Sequence, residues 1–74
     1  MWKKFYSNGS NHKLKDNDYL VAYINDAGYI IHLIYETPRH AKVVGYDLRD
    51  SKGQSLCLSR LLSEVKDFYN KNCA

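Results

Sequence analysis

The sequence has few of the residues that mark several functional classes. Its 74 residues include two cysteines, one proline, one methionine and one tryptophan. Two cysteines as far apart as Cys57 and Cys73 do not make a small disulfide scaffold, and there is no CxxC pair for a zinc site. We therefore interpret both as free thiols in a reducing compartment. The sequence predicts no metal and no other cofactor.

Long apolar runs and strong charge are also missing. No stretch approaches the ~20 apolar residues that a membrane-spanning helix needs. The charged start, Met1 to Lys4, has no apolar core after it, so we expect no signal peptide. The formal net charge of +3, from 11 basic and 8 acidic residues, is mild for a dedicated nucleic-acid protein and disfavours an acidic mimic of DNA. These features predict a cytoplasmic protein that does not bind membranes.

The sequence carries no catalytic motif. GxSxG, P-loop, GxGxxG and HExxH patterns are all absent, and these patterns report nucleophile, phosphate and zinc chemistry. The histidines His12, His32 and His40 lack the spacing that would preorganise a metal site. The sequence therefore predicts a protein that is not an enzyme and has no catalytic residues.

Apolar and aromatic residues are what the chain does contain. Hydrophobic residues make up 45% and aromatic residues 14%, and there are seven tyrosines. This composition is typical of a globular domain, and the length allows one. Tyrosine gives stiff, amphipathic contact area that suits an interface, but it is also a good strand former. Both interpretations of the tyrosines stay open.

The pattern predicts an α+β fold: a three- to four-stranded antiparallel sheet with one C-terminal helix packed on one face. Alternating, β-branched and aromatic residues predict strands over 2–7, 19–24, 29–36 and 41–48, with a polar loop over 8–18. The first turn is Asn25 to Gly28, and the second is Thr37 to His40 with Pro38. Apolar residues at three- and four-residue spacing predict a helix over 55–70 with Ser55 as a candidate N-cap.

The length of the first turn decides which residues share a face of the sheet, because strand side chains alternate. An even loop pairs Ile24 with Tyr29. One face then receives the helix and holds Leu20, Ala22, Ile24, Tyr29, Ile31, Leu33, Tyr35, Val44, Tyr46 and Leu48. The other face has no cover, and its predicted partner-binding residues are Tyr19, Val21, Tyr23, Ile30, His32 and Ile34.

An aliphatic centre with a polar rim is typical of protein–protein contacts. The sequence therefore predicts a non-enzymatic protein-binding module, with a contact at His32 that responds to pH. A nucleic-acid binder is one alternative, in which strand aromatics stack bases beside cations. Its candidate residues are Tyr19, Tyr23 and His32 with Lys13, Lys15, Arg39 and Lys42. A homodimer that buries the uncovered face is a second alternative.

Strands followed by one helix over Tyr19 to Tyr69, with Tyr19 and Tyr23 on the sheet, resemble phage-encoded anti-CRISPR proteins of the antiparallel-sheet-plus-helix type. In the similar proteins the sheet face docks on a subunit of the CRISPR surveillance complex and blocks access to DNA. The resemblance implies an inhibitor that acts in the host cytoplasm on a defence complex. The basic net charge departs from the acidic, DNA-mimicking members and agrees with the protein-docking kind. No diagnostic motif accompanies the resemblance, so no binding residue is carried over from it.

Overall fold

The computed structural model describes residues 1–8, 18–36 and 42–74. These residues form five strands in one antiparallel sheet, in the order β1-β2-β3-β4-β5, and one helix. The elements are β1 (Lys3–Tyr6), β2 (Leu20–Ile24), β3 (Ile30–Tyr35), β4 (Val43–Arg49), β5 (Ser55–Ser59) and α1 (Leu62–Asn72). The predicted α+β architecture with a C-terminal helix is confirmed, and the sheet has one strand more than the three to four expected.

The predicted strands correspond to β1 to β4, with ends that differ by one or two residues. The predicted polar loop over 8–18 and the turn from Thr37 to His40 fall largely on residues 9–17 and 37–41. Those predictions lie outside the described residues. Among the nucleic-acid candidates, Lys13, Lys15 and Arg39 lie outside them too.

The helix begins at Leu62, and the residues predicted as its first turns form strand β5 instead. Leu58 and Leu61 have helical spacing, but a short apolar run is equally compatible with a strand. Residues 55–59 form a strand because they pair with β4, where Cys57 lies opposite Leu48 in an antiparallel ladder. The predicted helix over 55–70 is therefore wrong at its N-terminal end.

The helix start uses a serine other than the predicted one. Ser55 lies in β5, and the N-cap position is Leu61, whose side chain makes no cap hydrogen bond. The hydroxyl of Ser59 accepts the Leu61 N–H at 3.2 Å and donates to Oε1 of Glu64 at 2.9 Å. Ser59 thus joins the end of β5 to the first turn of α1, a local bond of the kind that orders helix entry.

The β2–β3 connection is a three-residue loop whose first flanking residue is Asn25. The Asn25 side-chain oxygen accepts the N–H groups of Ala27, at 3.1 Å, and of Tyr29, at 2.9 Å. The Asn25 carbonyl also accepts the Gly28 N–H at 3.1 Å, and Gly28 has φ of 90°. This is a turn followed by a left-handed residue, a position that glycine fills without the steric cost of a Cβ.

The β4–β5 connection repeats that design with a carboxylate in place of the amide. Asp50 Oδ1 accepts the N–H groups of Lys52 and Gln54, both at 2.9 Å. The Asp50 carbonyl accepts the Gly53 N–H at 3.0 Å, and Gly53 has φ of 85°. Both described hairpins therefore have an odd loop that is fixed by an Asx side chain and a glycine.

The odd loop shifts β2 against β3 by one residue from the predicted register. Ile24 lies opposite Ile30 and not opposite Tyr29, and Tyr23 lies opposite Ile31. Because a one-residue shift reverses every side chain of a strand, Tyr23 faces α1. The residues that leave the predicted helix-covered face are Leu20, Ala22 and Ile24.

The core lies between the sheet and α1. The predicted grouping of β3 with β4 is confirmed for Tyr46 and Leu48, since Ile31 lies opposite Leu48 and Leu33 opposite Tyr46. Ile31, Leu48 and Val65 are fully buried. Partly buried side chains surround them: Trp2, Tyr23, Tyr29, Tyr46, Leu56, Cys57, Leu62, Phe68 and Tyr69. The tyrosines near α1 are therefore core components in this fold.

Alanine at the two turn glycines should separate backbone strain from steric contact. Both substitutions force a Cβ onto a left-handed residue, which costs ~1 kcal/mol of stability. A Cβ at Gly28 would also lie 3.3 Å from the Ser51 Cβ, whereas a Cβ at Gly53 meets nothing within 4 Å. We expect Gly28→Ala to lower the free energy of unfolding more than Gly53→Ala does, measured by urea denaturation. Equal losses would contradict the contact between the two hairpin turns.

Candidate functional site

The six predicted partner-binding residues do not share one face of the sheet. Tyr23 packs against the core beside α1, and Val21 points the same way because it lies two residues away in β2. The ring of Tyr19 meets the ring of Tyr35 on that side, with 5.5 Å between centroids. The grouping is wrong for Tyr19, Val21 and Tyr23. The residues that do lie on the side opposite α1 are Ile30, His32 and Ile34.

We call the sheet side opposite α1 the open face. Its middle row holds one residue from each strand, because the cross-strand pairs form a continuous line. Cross-strand neighbours on one face contact each other and act as a unit. In strand order this row is Phe5, Ala22, His32, Asp47 and Leu58.

One end of the open face carries an apolar groove. It has a volume of about 390 Å³ and is lined by Ile34, Val44, Gly45, Leu58, Ser59 and Arg60. Three of these side chains are well exposed: Ile34 at 38%, Val44 at 42% and Leu58 at 68%. The absence of a side chain at Gly45 shapes the groove, since a Cβ there would lie 3.5 Å from the Ile34 Cδ1. The groove is an apolar concavity beside the protruding side chain of Leu58.

Val44 reaches the open face through a β-bulge. Ile34 lies opposite Gly45, but Tyr35 lies opposite Val43, so Val44 is an extra residue in β4. An extra residue interrupts the alternation of a strand. The prediction that placed Val44 on the helix-covered face is therefore wrong. A glycine inside a strand is a known signal of a bulge, and Gly45 follows directly.

A polar cluster lies beside the groove and is centred on Asp47, which is buried. Arg49 Nε donates to Asp47 Oδ2 at 2.8 Å, and the Ser55 hydroxyl donates to Oδ1. Burial by itself would raise the pKa of Asp47. The hydrogen bonds from Ser55 and Arg49, then the charges of Arg49 and His32, outweigh it and lower the pKa of Asp47 below its ordinary value.

The charged side chain that lines the groove is basic. The buried carboxylate of the open face, Asp47, is already bonded to Arg49, whose side chain is half exposed. Arg60 is exposed and lines the groove. A carboxylate that is paired within the protein presents little free negative charge. The groove and its surroundings therefore suit an apolar group with an acidic neighbour.

The described residues contain no evident reactive centre. Within residues 1–8, 18–36 and 42–74, no three His, Cys, Asp or Glu side chains are grouped so that they could hold a metal ion. Burial, together with the charges of Glu64 and Asp47, raises the pKa of the Cys57 thiol. A thiol with a raised pKa is protonated at neutral pH and is a weak nucleophile. In the same part of the chain, the helix is too short and too polar to cross a lipid bilayer.

Comparison with protein families, with curated proteins and with solved structures finds no match to this chain. The resemblance to anti-CRISPR proteins therefore rests on the strand–helix order alone, since Tyr19 and Tyr23 lie on the helix side of the sheet.

Sequence reasoning missed the residues that line the apolar groove apart from Ile34. Leu58 and Arg60 fall within the predicted helix over 55–70, but Leu58 lies in β5 and Arg60 between β5 and α1. Val44 falls on the predicted helix-covered face. The readable signals were Gly45 in a strand and the Asx-to-glycine spacing of the second described turn, which favours a hairpin before residue 55.

Stability should depend on pH through Asp47. Its pKa is below the ordinary value of 3.8 in the folded protein, so the unfolded state binds the proton more readily. The stabilisation is present above the unfolded pKa and is lost as the pH falls through the folded pKa. We expect Asp47→Asn to lower the free energy of unfolding at neutral pH by ~1–2 kcal/mol, since hydrogen bonds to a charge are lost.

The difference between wild type and Asp47→Asn should shrink towards acidic pH, because the wild-type carboxylate is then protonated. Urea denaturation over a pH series measures both curves. A difference in the free energy of unfolding that stays constant to a pH well below the ordinary aspartate pKa would contradict the assigned role of Asp47.

Proposed function

We propose that this protein is a non-enzymatic inhibitor that binds a protein partner through the open face. The observation that carries the proposal is the exposed groove formed by Ile34, Val44 and Leu58. Exposed apolar groups grouped around a concavity mark interaction sites more often than scattered exposed residues do. A partner side chain that enters the groove would remove apolar surface of both proteins from water.

The groove supports a protein partner over a nucleic acid. Base stacking needs exposed aromatic rings beside cations. Tyr19 and Tyr23 lie on the helix side, where Tyr23 packs against the core. The groove itself is aliphatic. An aliphatic patch with arginine at its border is the composition of a protein–protein interface.

The expected partner surface carries an apolar side chain beside an acidic one. The apolar side chain would fill the space over Gly45, between Ile34 and Leu58. A carboxylate would then lie within reach of Arg60, whose guanidinium can donate two parallel hydrogen bonds. Arg49 extends the basic character of the surface beyond the groove.

A charge placed in the groove should abolish binding and leave the fold intact. In Val44→Asp a carboxylate replaces apolar surface in the groove and repels the acidic group expected of the partner, so we expect the affinity for the partner to fall by at least about tenfold. Because Val44 is half exposed in the free protein, the melting temperature should change by less than about 4 °C. Quantitative affinity capture from host lysate, with thermal denaturation alongside, measures both effects.

Two variants serve as controls for Val44→Asp, one for the added charge and one for the face of the sheet that is changed. Asn70→Asp adds the same charge on an exposed position of α1, and it should bind like wild type. Tyr23→Ala removes a core ring and should lower the free energy of unfolding by ~2 kcal/mol. A partner that Val44→Asp still captures, or that Asn70→Asp loses equally, would rule out the groove as the binding site.

The resemblance to anti-CRISPR proteins supplies a specific partner class to test. We propose a subunit of a CRISPR surveillance complex as the protein bound, with loss of access to DNA as the consequence. Purified surveillance complex with its guide RNA should bind labelled target DNA less when the wild-type protein is present. Electrophoretic mobility shift measures this directly, and Val44→Asp should restore DNA binding.

The same assay separates direct competition for DNA from docking on protein. Labelled target DNA without the complex should not shift in the presence of the wild-type protein. If the protein shifts the DNA by itself, the nucleic-acid alternative is favoured. If DNA binding by surveillance complexes of every type tried is unchanged, the anti-CRISPR assignment fails, while the capture experiment still tests protein binding.

A further inference from the structure

The two edges of the sheet differ in how they are protected. At one edge, β1 carries Lys3 and Lys4, both exposed. At the other edge, β5 carries no charged residue and no proline, and its sequence is SLCLS. Lysine on an edge strand discourages pairing with another chain, whereas an uncharged edge presents N–H and C=O groups that can accept a further strand. The β5 edge is therefore the one open to pairing.

The part of β5 that a second strand could join is regular. The bulge in β5 lies next to the hairpin turn, because Leu48 lies opposite Cys57 while Arg49 lies opposite Ser55. From Cys57 to Ser59 the ladder is uninterrupted. Leu58 lies at the centre of this segment and is 68% exposed. A protruding leucine at the middle of an unprotected edge is a second feature that favours pairing there.

We propose that two copies of this chain associate through antiparallel pairing of their β5 strands about a two-fold axis beside Leu58. The two sheets then form one continuous sheet, with both α1 helices on the same side. A two-fold axis places the same surface of each copy in the interface, so the surface must complement itself.

The side chains of β5 meet that requirement. With the axis beside Leu58, the Leu58 side chains of the two copies become cross-strand neighbours on the open face and cover each other. On the helix side, Cys57 of one copy lies opposite Ser59 of the other. Both are small, so they leave room for the two helices to approach.

Glu64 and Lys71 of α1 offer one complementary pair of charges across the two-fold axis, although Asp67, which lies between them, faces its own copy. A groove of about 410 Å³ lies between β5 and α1, and its lining includes Glu64, Asp67, Phe68 and Lys71. The Ser59 hydroxyl bonds to Glu64 at 2.9 Å, so the first turns of α1 lie by the end of β5 and Lys71 lies towards its beginning. An antiparallel second copy then places its Lys71 across from Glu64, and the symmetric pair forms as well.

This association adds to the proposed function and does not depend on it. The open faces of the two copies would become one surface with an apolar groove on each side of the axis. Val44→Asp should leave the association intact, since Val44 lies away from the β5 edge. Failure of partner binding and failure of self-association are therefore measured by different variants.

Sedimentation velocity of the wild-type protein over a concentration series tests the association directly. We expect a reversible dimer with a dissociation constant in the micromolar range, because a short edge pairing buries little surface. Hydrogen exchange at high concentration should protect every backbone amide of Cys57 to Ser59. In β1 the protection should alternate, as it does in an unpaired edge strand.

Charge exchange on α1 identifies the interface. Glu64→Lys replaces two attractive pairs by repulsive ones, and we expect the dimer dissociation constant to rise about tenfold. The double variant Glu64→Lys with Lys71→Glu should restore it to near the wild-type value. Both variants lose the hydrogen bond from Ser59 to residue 64, so the difference between their dimer dissociation constants reports the charge pairs across the interface. Asp26→Lys, with the same charge change on the β2–β3 turn, should have little effect.

Three outcomes would overturn the proposal. The first is a sedimentation coefficient that remains that of a monomer up to about 1 mM protein. At that concentration an association free energy of ~4 kcal/mol would be detected. The second is a dimer in which the amide of Leu58 exchanges freely, since the copies then meet through a face. The third is a double variant that dissociates as readily as Glu64→Lys.

Discussion

The hydrogen bonds between an Asx side chain and its own turn fix the register of two of the four strand pairs, β2–β3 and β4–β5. Asn25 and Asp50 each hold two backbone N–H groups and close a three-residue loop that ends in a glycine with positive φ. Loop length sets the register, and the register sets the face. With an even loop at Asn25, Tyr23 would leave the core. The small hydrophobic core therefore depends on two polar turns.

The core accounts for only one side of the sheet. Ile31 and Leu48 are fully buried under the apolar stripe of α1, whose own Val65 is fully buried too. An antiparallel sheet covered on one side normally turns polar residues to the other side. Here the uncovered side keeps Ile34, Val44 and Leu58, which gain nothing in folding from their exposed area. Exposed apolar surface of this kind favours association over the free state, and this is the physical basis of both proposals.

Local patterns predicted β1 to β4 and the later turns of α1, whereas β5 is formed by pairing with β4 and was not predicted. These strands, β1 to β4, were predictable because alternation, β-branched residues and turn residues are each readable within a few positions. The helix start was not, since Leu58 and Leu61 fit a helix and a strand equally well until β5 pairs with β4. The Asx and glycine spacing of both described turns was a readable signal of odd loops, and it would have placed Tyr23 in the core.

The candidate site was predictable in kind but only partly in residues. The sequence predicts an uncovered, largely aliphatic face because it has a single predicted helix, and one helix cannot cover both sides of a sheet. Ile30, His32 and Ile34 were placed on it correctly, because β3 is the central strand and its alternation is undisturbed. The errors arose where a bulge or an odd loop changes the alternation, as at Val44.

Under the proposed function, the polar cluster around Asp47 would make binding at the apolar open face selective. A bare aliphatic face would associate with many surfaces. Asp47 is buried and holds Arg49 and Ser55 in fixed positions, and His32 lies opposite it in the next strand. Hydrogen bonds of fixed direction reject partners that leave them unmatched, since an unpaired buried polar group costs free energy. In the proposed complex the groove would supply affinity and the cluster beside it selectivity, with an acidic partner surface as the match for the arginines.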